Sequence, residues 1–216
     1  MAKSDMVRGM LFGVEFITNV AKEVKKLGGT EEQIYEAMKT ESNLAKNVAQ
    51  FIVGTKKLAL KYLTLIQDGI MIAVEAFSKS SFFSNGPKLY FWDNFKNWVL
   101  SEIPDVIPAF TGSVRKTQLT KNMYDSEIQA ELGNPTAFSV SEFAAIIKGL
   151  IAKQPKGEGG DLLNNGYANI FYVQLANRTV FAVGVRCCGG DREWRFSAFS
   201  LAGDRWLDGL CVFSRS

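Results

Sequence analysis

The sequence predicts an α+β protein with a helical N-terminal third, then a mixed region, and a C-terminal antiparallel β-meander packed on one or more helices. Near the N-terminus apolar residues recur at three- and four-residue steps, which is typical of a helix. After residue 168 they alternate with polar residues, as in a strand. The composition is that of a globular protein, with 47% apolar and 22% charged residues among 216. We predict a helical region over 1–55 and an α+β domain over 56–216, with the meander at 168–216.

Three helices are predicted in the N-terminal region. The first spans Ser4–Leu27 and ends at a pair of glycines. Thr30 and Gln33 have the spacing of a capping box, which begins a second short helix. Ser42 is suited to cap the third. We expect these helices to contact another protein or to mediate self-association.

The next region has the composition of strands. Leu58–Ile66 and Ile70–Phe77 are apolar and aromatic, and they flank Gln67-Asp68-Gly69, whose Asp-Gly pair favours a tight turn. This pattern predicts a β-hairpin, with a helix as the competing interpretation. Two further strands are predicted at Lys88–Trp92 and Ser113–Leu119.

The middle of the chain also carries three predicted helices. Asp93 is predicted to cap the first, which Pro104 prevents from extending. Asp125–Leu132 is a short helix that Gly133 ends. The capping box Ser139-Val140-Ser141-Glu142 opens the third, which has the clearest apolar side. That side comprises Val140, Phe143, Ala144, Ile147, Leu150 and Ile151.

Alternation with a period of two defines the meander and its inward face. The inward residues are Phe171, Val173, Leu175, Phe181, Val183, Val185, Cys187, Trp194, Phe196 and Ala198. The turns between the strands are predicted at Ala176-Asn177-Arg178, Gly189-Gly190-Asp191 and Ala202-Gly203-Asp204. Leu210–Phe213 is predicted to add a fourth strand.

The sequence predicts no catalytic residue, metal site or cofactor. Histidine is absent, which excludes every mechanism that needs an imidazole. Cys187-Cys188 lacks the spacing of a zinc site, and we interpret Cys187 as a buried thiol. The loop Gly157–Asp161 lacks the strand and the Lys-Ser/Thr of a P-loop, so a mobile connection is favoured. The nearby acidic residues, Asp161, Asp191, Glu193, Asp204 and Asp208, are interpreted as solvated turn residues.

Charge and cysteine content favour a cytoplasmic protein. The net charge of +3 does not indicate a nucleic-acid partner. Every Lys lies at or before Lys156, whereas most Arg lie after it, which suggests that the last sixty residues form a distinct unit. Three cysteines, two of them adjacent, do not suit a secreted disulfide framework. Glu15 interrupts the apolar stretch Met10–Val20, so neither a signal peptide nor a membrane span is expected there.

The second face of the meander is the candidate ligand site. It mixes aromatic rings, guanidinium groups and a bare glycine, and its candidate binding residues are Tyr172, Arg186, Arg195 and Phe199. Gln174, Gly184 and Ser197 share this face. The favoured interpretation is nevertheless that the face is an ordinary core wall: Ile170, Val180 and Ala182 also lie on it, and the helix Val140–Ile151 would then cover it.

Three segments resemble an uncharacterised family of bacterial proteins of no known activity. They are Trp92–Trp98, Leu162–Val173 and Val212–Arg215, and the resemblance covers the last 130 residues or so. It implies a bacterial, cytoplasmic protein and no particular chemistry.

These observations favour a non-enzymatic module for protein interaction or a structural role. The alternative is binding of a single-stranded nucleic acid or a small anionic ligand on the Arg and aromatic face of the C-terminal sheet. In that case Tyr172 and Phe199 would stack on bases, while Arg186 and Arg195 would neutralise phosphates. An enzyme that uses carboxylates or Cys188 is the third hypothesis.

Overall fold

The computed structural model describes residues 60–216 apart from 134–136, 189, 191, 202 and 204, together with Lys22, Lys25 and Thr30. The chain divides into two units, Met1–Ala59 and Leu60–Ser216. The predicted helices of residues 1–55 and parts of two predicted meander turns lie outside the described residues.

A mixed sheet of eight strands forms the centre of the described region. Seven strands follow one another across the sheet in the order β1 (Leu63–Val74), β5 (Phe110–Leu119), β10 (Cys211–Arg215), β7 (Asn169–Gln174), β8 (Val180–Cys188), β9 (Glu193–Ser200) and β3 (Leu89–Phe91). The eighth, β6 (Phe138–Ser139), pairs with the end of β7. A two-stranded sheet is formed by β2 (Phe77–Ser78) and β4 (Val106–Ile107).

Four α-helices connect or cover these strands. They are α1 (Lys79–Phe83), α2 (Asp93–Trp98), α3 (Asp125–Leu132) and α4 (Val140–Ala152), and a 3₁₀ turn at Leu100–Glu102 follows α2. Within the described residues, none of the helices has the length and apolarity that crossing a bilayer requires.

The predicted fold class is wrong, because the described region is mostly β, with 40% strand and 24% helix, and its sheet is mixed. β7, β8 and β9 do form consecutive antiparallel pairs. The fourth predicted strand, β10, instead lies on the other side of β7, parallel to it and antiparallel to β5. β3 takes the place beside β9 and is also parallel to its neighbour. These two parallel pairings convert the expected meander into a mixed sheet.

The predicted hairpin around Asp68-Gly69 is also wrong. Leu63–Val74 is one strand that pairs with β5 on both sides of this dipeptide, with register shifts between Leu65 and Gln67 and between Gln67 and Ile70. Gly69 adopts a φ of 68°, which a glycine tolerates without strain. The extra residues are therefore accommodated as an irregularity within the strand, because both flanking segments gain backbone hydrogen bonds to the same partner.

Helix α4 covers the first face of the sheet. Ser139 Oγ accepts from Glu142 N at 3.3 Å, and Glu142 Oε2 accepts from Ser139 N at 2.7 Å, which confirms the predicted capping box. The inward set predicted from alternation packs here: Phe171, Val183, Trp194 and Phe196 are completely buried. Gly149 lets the helix approach β1, since a Cβ there would lie 2.8 Å from Ile72 Cγ2.

The second face is covered in part, and by other elements than predicted. Ile128 of α3 and Leu210 pack with Ile170, Tyr172 and Val212 in a smaller apolar cluster. The expectation that α4 covers this face is wrong, since α4 packs in the other cluster. This smaller cluster covers the second face over β10, β7 and part of β8. Other side chains on the second face of β8, β9 and β3 stay exposed.

Candidate functional site

The exposed part of the second face carries a cluster of aromatic and guanidinium side chains. We call it the aromatic–arginine surface, and it comprises Tyr90, Trp92, Arg186, Arg195, Phe199 and Trp206. Tyr90, Trp92 and Phe199 are 43%, 42% and 42% exposed, although large aromatic side chains usually lie in the core. The surface is built mainly on strands, so the sheet ladder fixes the positions of its members.

One pair of rings stands on the edge strand β3 and the residue after it. Leu89 and Phe91 pack against the core, so Tyr90 projects from the second face. The Tyr90 and Trp92 rings meet edge to face, with centroids 5.5 Å apart. The Trp92 N–H donates to Phe196 O at 3.0 Å, which holds this residue against β9.

A second pair of rings lies over the neighbouring strand β8. Phe199 and Trp206 also meet edge to face, with centroids 5.3 Å apart. They close over Gly184, because a Cβ at that residue would lie 3.5 Å from Trp206 Cη2 and 3.6 Å from Phe199 Cε2. These are ordinary van der Waals distances, so the two rings lie directly over the strand at Gly184.

Ser197 of β9 lies between these two pairs of rings. It is directly opposite Gly184, and it follows Phe196, the pairing partner of Phe91. Neighbouring strands lie about 4.8 Å apart, so the backbones of β3 and β8 are separated by about 10 Å across β9.

Two arginines lie beside Gly184 and Ser197 on the same two strands. Arg186 and Arg195 are direct partners across β8 and β9. Arg195 Nε donates to Glu193 Oε1 at 2.9 Å, and its guanidinium lies 5.7 Å from the centroid of the Tyr90 ring. Lys88 Nζ is 3.9 Å from Glu193 Oε2. Arg186 is exposed, and no described residue forms an ion pair with it. Glu193 therefore contacts both Lys88 and Arg195, and Arg186 lies across the ladder from Arg195.

Tyr172, the remaining predicted binding residue, is completely buried under the cover of the second face. Its hydroxyl donates to Asp125 Oδ1 at 2.8 Å. Burial, together with the neighbouring carboxylate, raises the pKa of Tyr172 far above its ordinary value. The structure thus brings Arg186, Arg195 and Phe199 together and separates Tyr172 from them.

Asp125 connects the buried cover to the aromatic–arginine surface. Its Oδ1 accepts from the Tyr172 hydroxyl and, at 2.7 Å, from Trp206 Nε1. The side chain is almost fully buried, and this burial raises the pKa of Asp125 in spite of the two hydrogen bonds. The carboxylate therefore fixes the position of Trp206 from below.

The remaining sequence candidates do not converge on one site. Cys187 is a buried free thiol, as predicted, and Cys188 is half-buried. Burial raises the pKa of Cys187. Asp161 pairs with Lys153 at 2.9 Å, away from Glu193. The glycine-rich loop is tied down by Gln154, whose side chain bonds Leu162 N and O and Glu158 O.

Sequence reasoning missed three members of the aromatic–arginine surface: Tyr90, Trp92 and Trp206. A signal for two of them exists, because Tyr90 and Trp92 are two residues apart in a predicted strand and so share one face. Trp206 carries no comparable signal, since its position depends on Asp125, 81 residues earlier in the chain.

Comparison with known proteins adds no assignment. No protein-family model, curated protein or solved structure matches the chain. The resemblance of the C-terminal half to a bacterial family therefore stays a prediction.

Proposed function

We propose that this protein is a non-enzymatic binding module that holds a partner protein on the aromatic–arginine surface. The observation that carries this proposal is the exposure of Tyr90, Trp92 and Phe199 next to Arg186 and Arg195 on one face of the sheet. Trp, Tyr and Arg are the residues that most often dominate the binding energy of protein interfaces. Exposed apolar surface rimmed by polar groups is also typical of docking sites.

The rigidity of the surface supports the same proposal. Its residues stand on hydrogen-bonded strands, and Trp206 is held by the buried Asp125 carboxylate. Binding of a partner therefore costs little conformational entropy on the side of this protein. A bacterial cytoplasmic location is part of the proposal, and the three free cysteines suit the reducing compartment.

Photocrosslinking tests this proposal at single residues. Benzoylphenylalanine replaces Tyr90 in the full chain, and in a control it replaces Trp98, which is 42% exposed but stacks on Phe181 instead. Irradiation in the cells from which the sequence comes should give a discrete protein adduct from position 90 and not from position 98. Equal adducts at both positions, or none at position 90, would contradict the proposal.

Binding of a single-stranded nucleic acid is the second candidate, favoured by the exposed rings beside two arginines. With Tyr172 buried, Tyr90, Trp92 and Phe199 are exposed rings that could stack on bases. Filter binding of single-stranded DNA and RNA at low salt tests it. Retention that falls steeply with salt and with Trp92→Ala is expected for this candidate, and no retention would remove it.

A further inference from the structure

The first residues of the second unit, 60–65, are held against the sheet by one carboxylate, and we call this segment the strap. The carboxylate belongs to Glu131, near the end of α3. Its Oε2 accepts from the backbone N–H groups of Lys61, Tyr62 and Leu63 at 3.0, 2.9 and 3.2 Å, and we call these three groups the strap amides. Hydrogen bonds to an ionised carboxylate are roughly twice as strong as neutral ones, so Glu131 is a strong attachment.

The other contacts of the strap come from the end of β5 and the residues after it. The N–H and the hydroxyl of Thr120 both donate to Tyr62 O at 3.0 Å. Lys121 Nζ lies 3.7 Å from the centroid of the Tyr62 ring, which is a cation–π distance. Leu63 pairs with Leu119, and both side chains are buried in the smaller apolar cluster. The strap is therefore attached to α3 and to one end of β5.

The irregularity inside β1 separates the strap from the rest of the strand. Register shifts on both sides of Gln67 interrupt the pairing with β5 between Leu65 and Ile70. The two sections also pack on different faces, because Leu63 belongs to the smaller cluster, whereas Ile70 and Ile72 belong to the cluster that contains α4. Native proteins open locally in contiguous cooperative units, and a separately packed end of a strand meets that description.

We infer that residues 60–65 open as a unit while the rest of the sheet stays folded, and that Glu131 holds them closed. Opening removes the β1 neighbour of Thr117 and Gln118, which stay paired with β10 on their other side. It thereby uncovers an unpaired sheet edge, to which another extended chain can pair. The strap is also where the chain enters the second unit, directly after Ala59. Its position therefore controls whether this edge of β5 is available.

Amide hydrogen exchange of the full chain, followed residue by residue by NMR, tests this inference. The variant Glu131→Gln loses the charge and one of the two accepting oxygens. Glu142→Gln is the matched control, because it removes a carboxylate that binds Arg215 and α4 rather than the strap. This control lowers the stability of the whole fold without changing the local opening. Circular dichroism melting checks that both variants remain folded.

In the wild type the strap amides and the amide of Thr120 should exchange faster than the protected amides of residues 70–74. Glu131→Gln should accelerate all four by at least about tenfold, which corresponds to about 1.4 kcal/mol, and Glu142→Gln should leave them unchanged. Thr120 is decisive, because its N–H binds Tyr62 O and not the mutated side chain.

Three results would overturn the inference. Acceleration of the strap amides with Thr120 unchanged would mean that single hydrogen bonds are lost and no unit opens. Strap amides that are as protected as residues 70–74 in the wild type, and that both variants accelerate, would show that the strap opens only when the whole protein unfolds. Unchanged exchange in Glu131→Gln would remove this carboxylate as the group that holds the strap closed.

Discussion

Replacement of Asp125 tests whether one buried carboxylate organises the second face. In Asp125→Ala the hydroxyl of Tyr172 loses its acceptor while remaining completely buried, and the indole N–H of Trp206 loses its acceptor at a partly exposed position. A buried donor without a partner costs about 1–3 kcal/mol, and a donor that reaches water costs less. Relief of the buried charge offsets part of the loss. We expect the free energy of unfolding to fall by about 2–3 kcal/mol.

Asp125→Asn is the matched control, because its side-chain oxygen still accepts both hydrogen bonds without a charge. We expect this variant to lie within about 1 kcal/mol of the wild type at pH 7. Urea denaturation followed by tryptophan fluorescence measures both variants. With a slope of about 2 kcal/mol/M, the Ala variant should unfold at about 1–1.5 M less urea than the wild type.

The pH dependence gives an independent check. Burial raises the pKa of Asp125 in the folded protein above the ordinary value of 3.8, so the folded state binds the proton more tightly than the unfolded chain does. The stability of the wild type relative to Asp125→Asn should therefore rise as the pH falls through the raised pKa, and it should level off below the ordinary value. An Asn variant as unstable as the Ala variant, or a pH trend of opposite sign, would refute the role given to this carboxylate.

Four further substitutions test the packing and the caps, with Gly159→Ala as a control. Gly149→Ala should lower the free energy of unfolding by up to about 2 kcal/mol in thermal melts. The new Cβ would lie 2.8 Å from Ile72 Cγ2, and this crowding outweighs a gain of about 1 kcal/mol in helix propensity. A variant more stable than the wild type would contradict this. Gly157→Ala should lower the free energy of unfolding by about 2 kcal/mol in the same melts, since the φ of Gly157 is 69° and the new Cβ would collide with Cys187 Sγ. Gly159→Ala is the control and should be nearly neutral, because a Cβ at Gly159 would meet open space. Glu142→Gln should lower the free energy of unfolding by about 1 kcal/mol at pH 7, measured by urea denaturation, because Arg215 holds the pKa of Glu142 at about 2. This contribution to stability is present above the ordinary pKa of 4.5 and should vanish as the pH falls to about 2. A stability difference between the variant and the wild type that persists at pH 2 would count against this role of Glu142.

Elements with local signals were predictable from the sequence. The capping box at Ser139 and Glu142 and the closing Gly133 depend on residues within one turn of the helix ends, and both helices α3 and α4 lie where these signals put them. Alternation after residue 168 likewise placed Arg186, Arg195 and Phe199 on one face, because the direction of a strand side chain depends only on its own backbone.

Features that depend on distant pairing were not predictable. Asp68-Gly69 favours a tight turn locally, but pairing with β5 on both sides of this dipeptide keeps the segment extended. The residues of β5 lie some 45 positions further along the chain, so the local sequence does not reveal this pairing. The position of β10 depends on two strands at once, and nothing in Cys211–Arg215 itself indicates a parallel neighbour. The burial of Tyr172 depends on α3 and Trp206, which cover its face from two other parts of the chain.

The place of β10 between β5 and β7 has a consequence for biosynthesis. Strand β10 pairs with β5 on one side and with β7 on the other, so it joins the β1–β5 half of the sheet to the half that contains β7, β8, β9 and β3. These halves share no backbone hydrogen bonds until β10 has been translated. A nascent polypeptide that stalls before this point exposes two open edges, which invites chaperone capture or proteolysis. The ladder between the two halves is therefore completed only after β10 has left the exit tunnel.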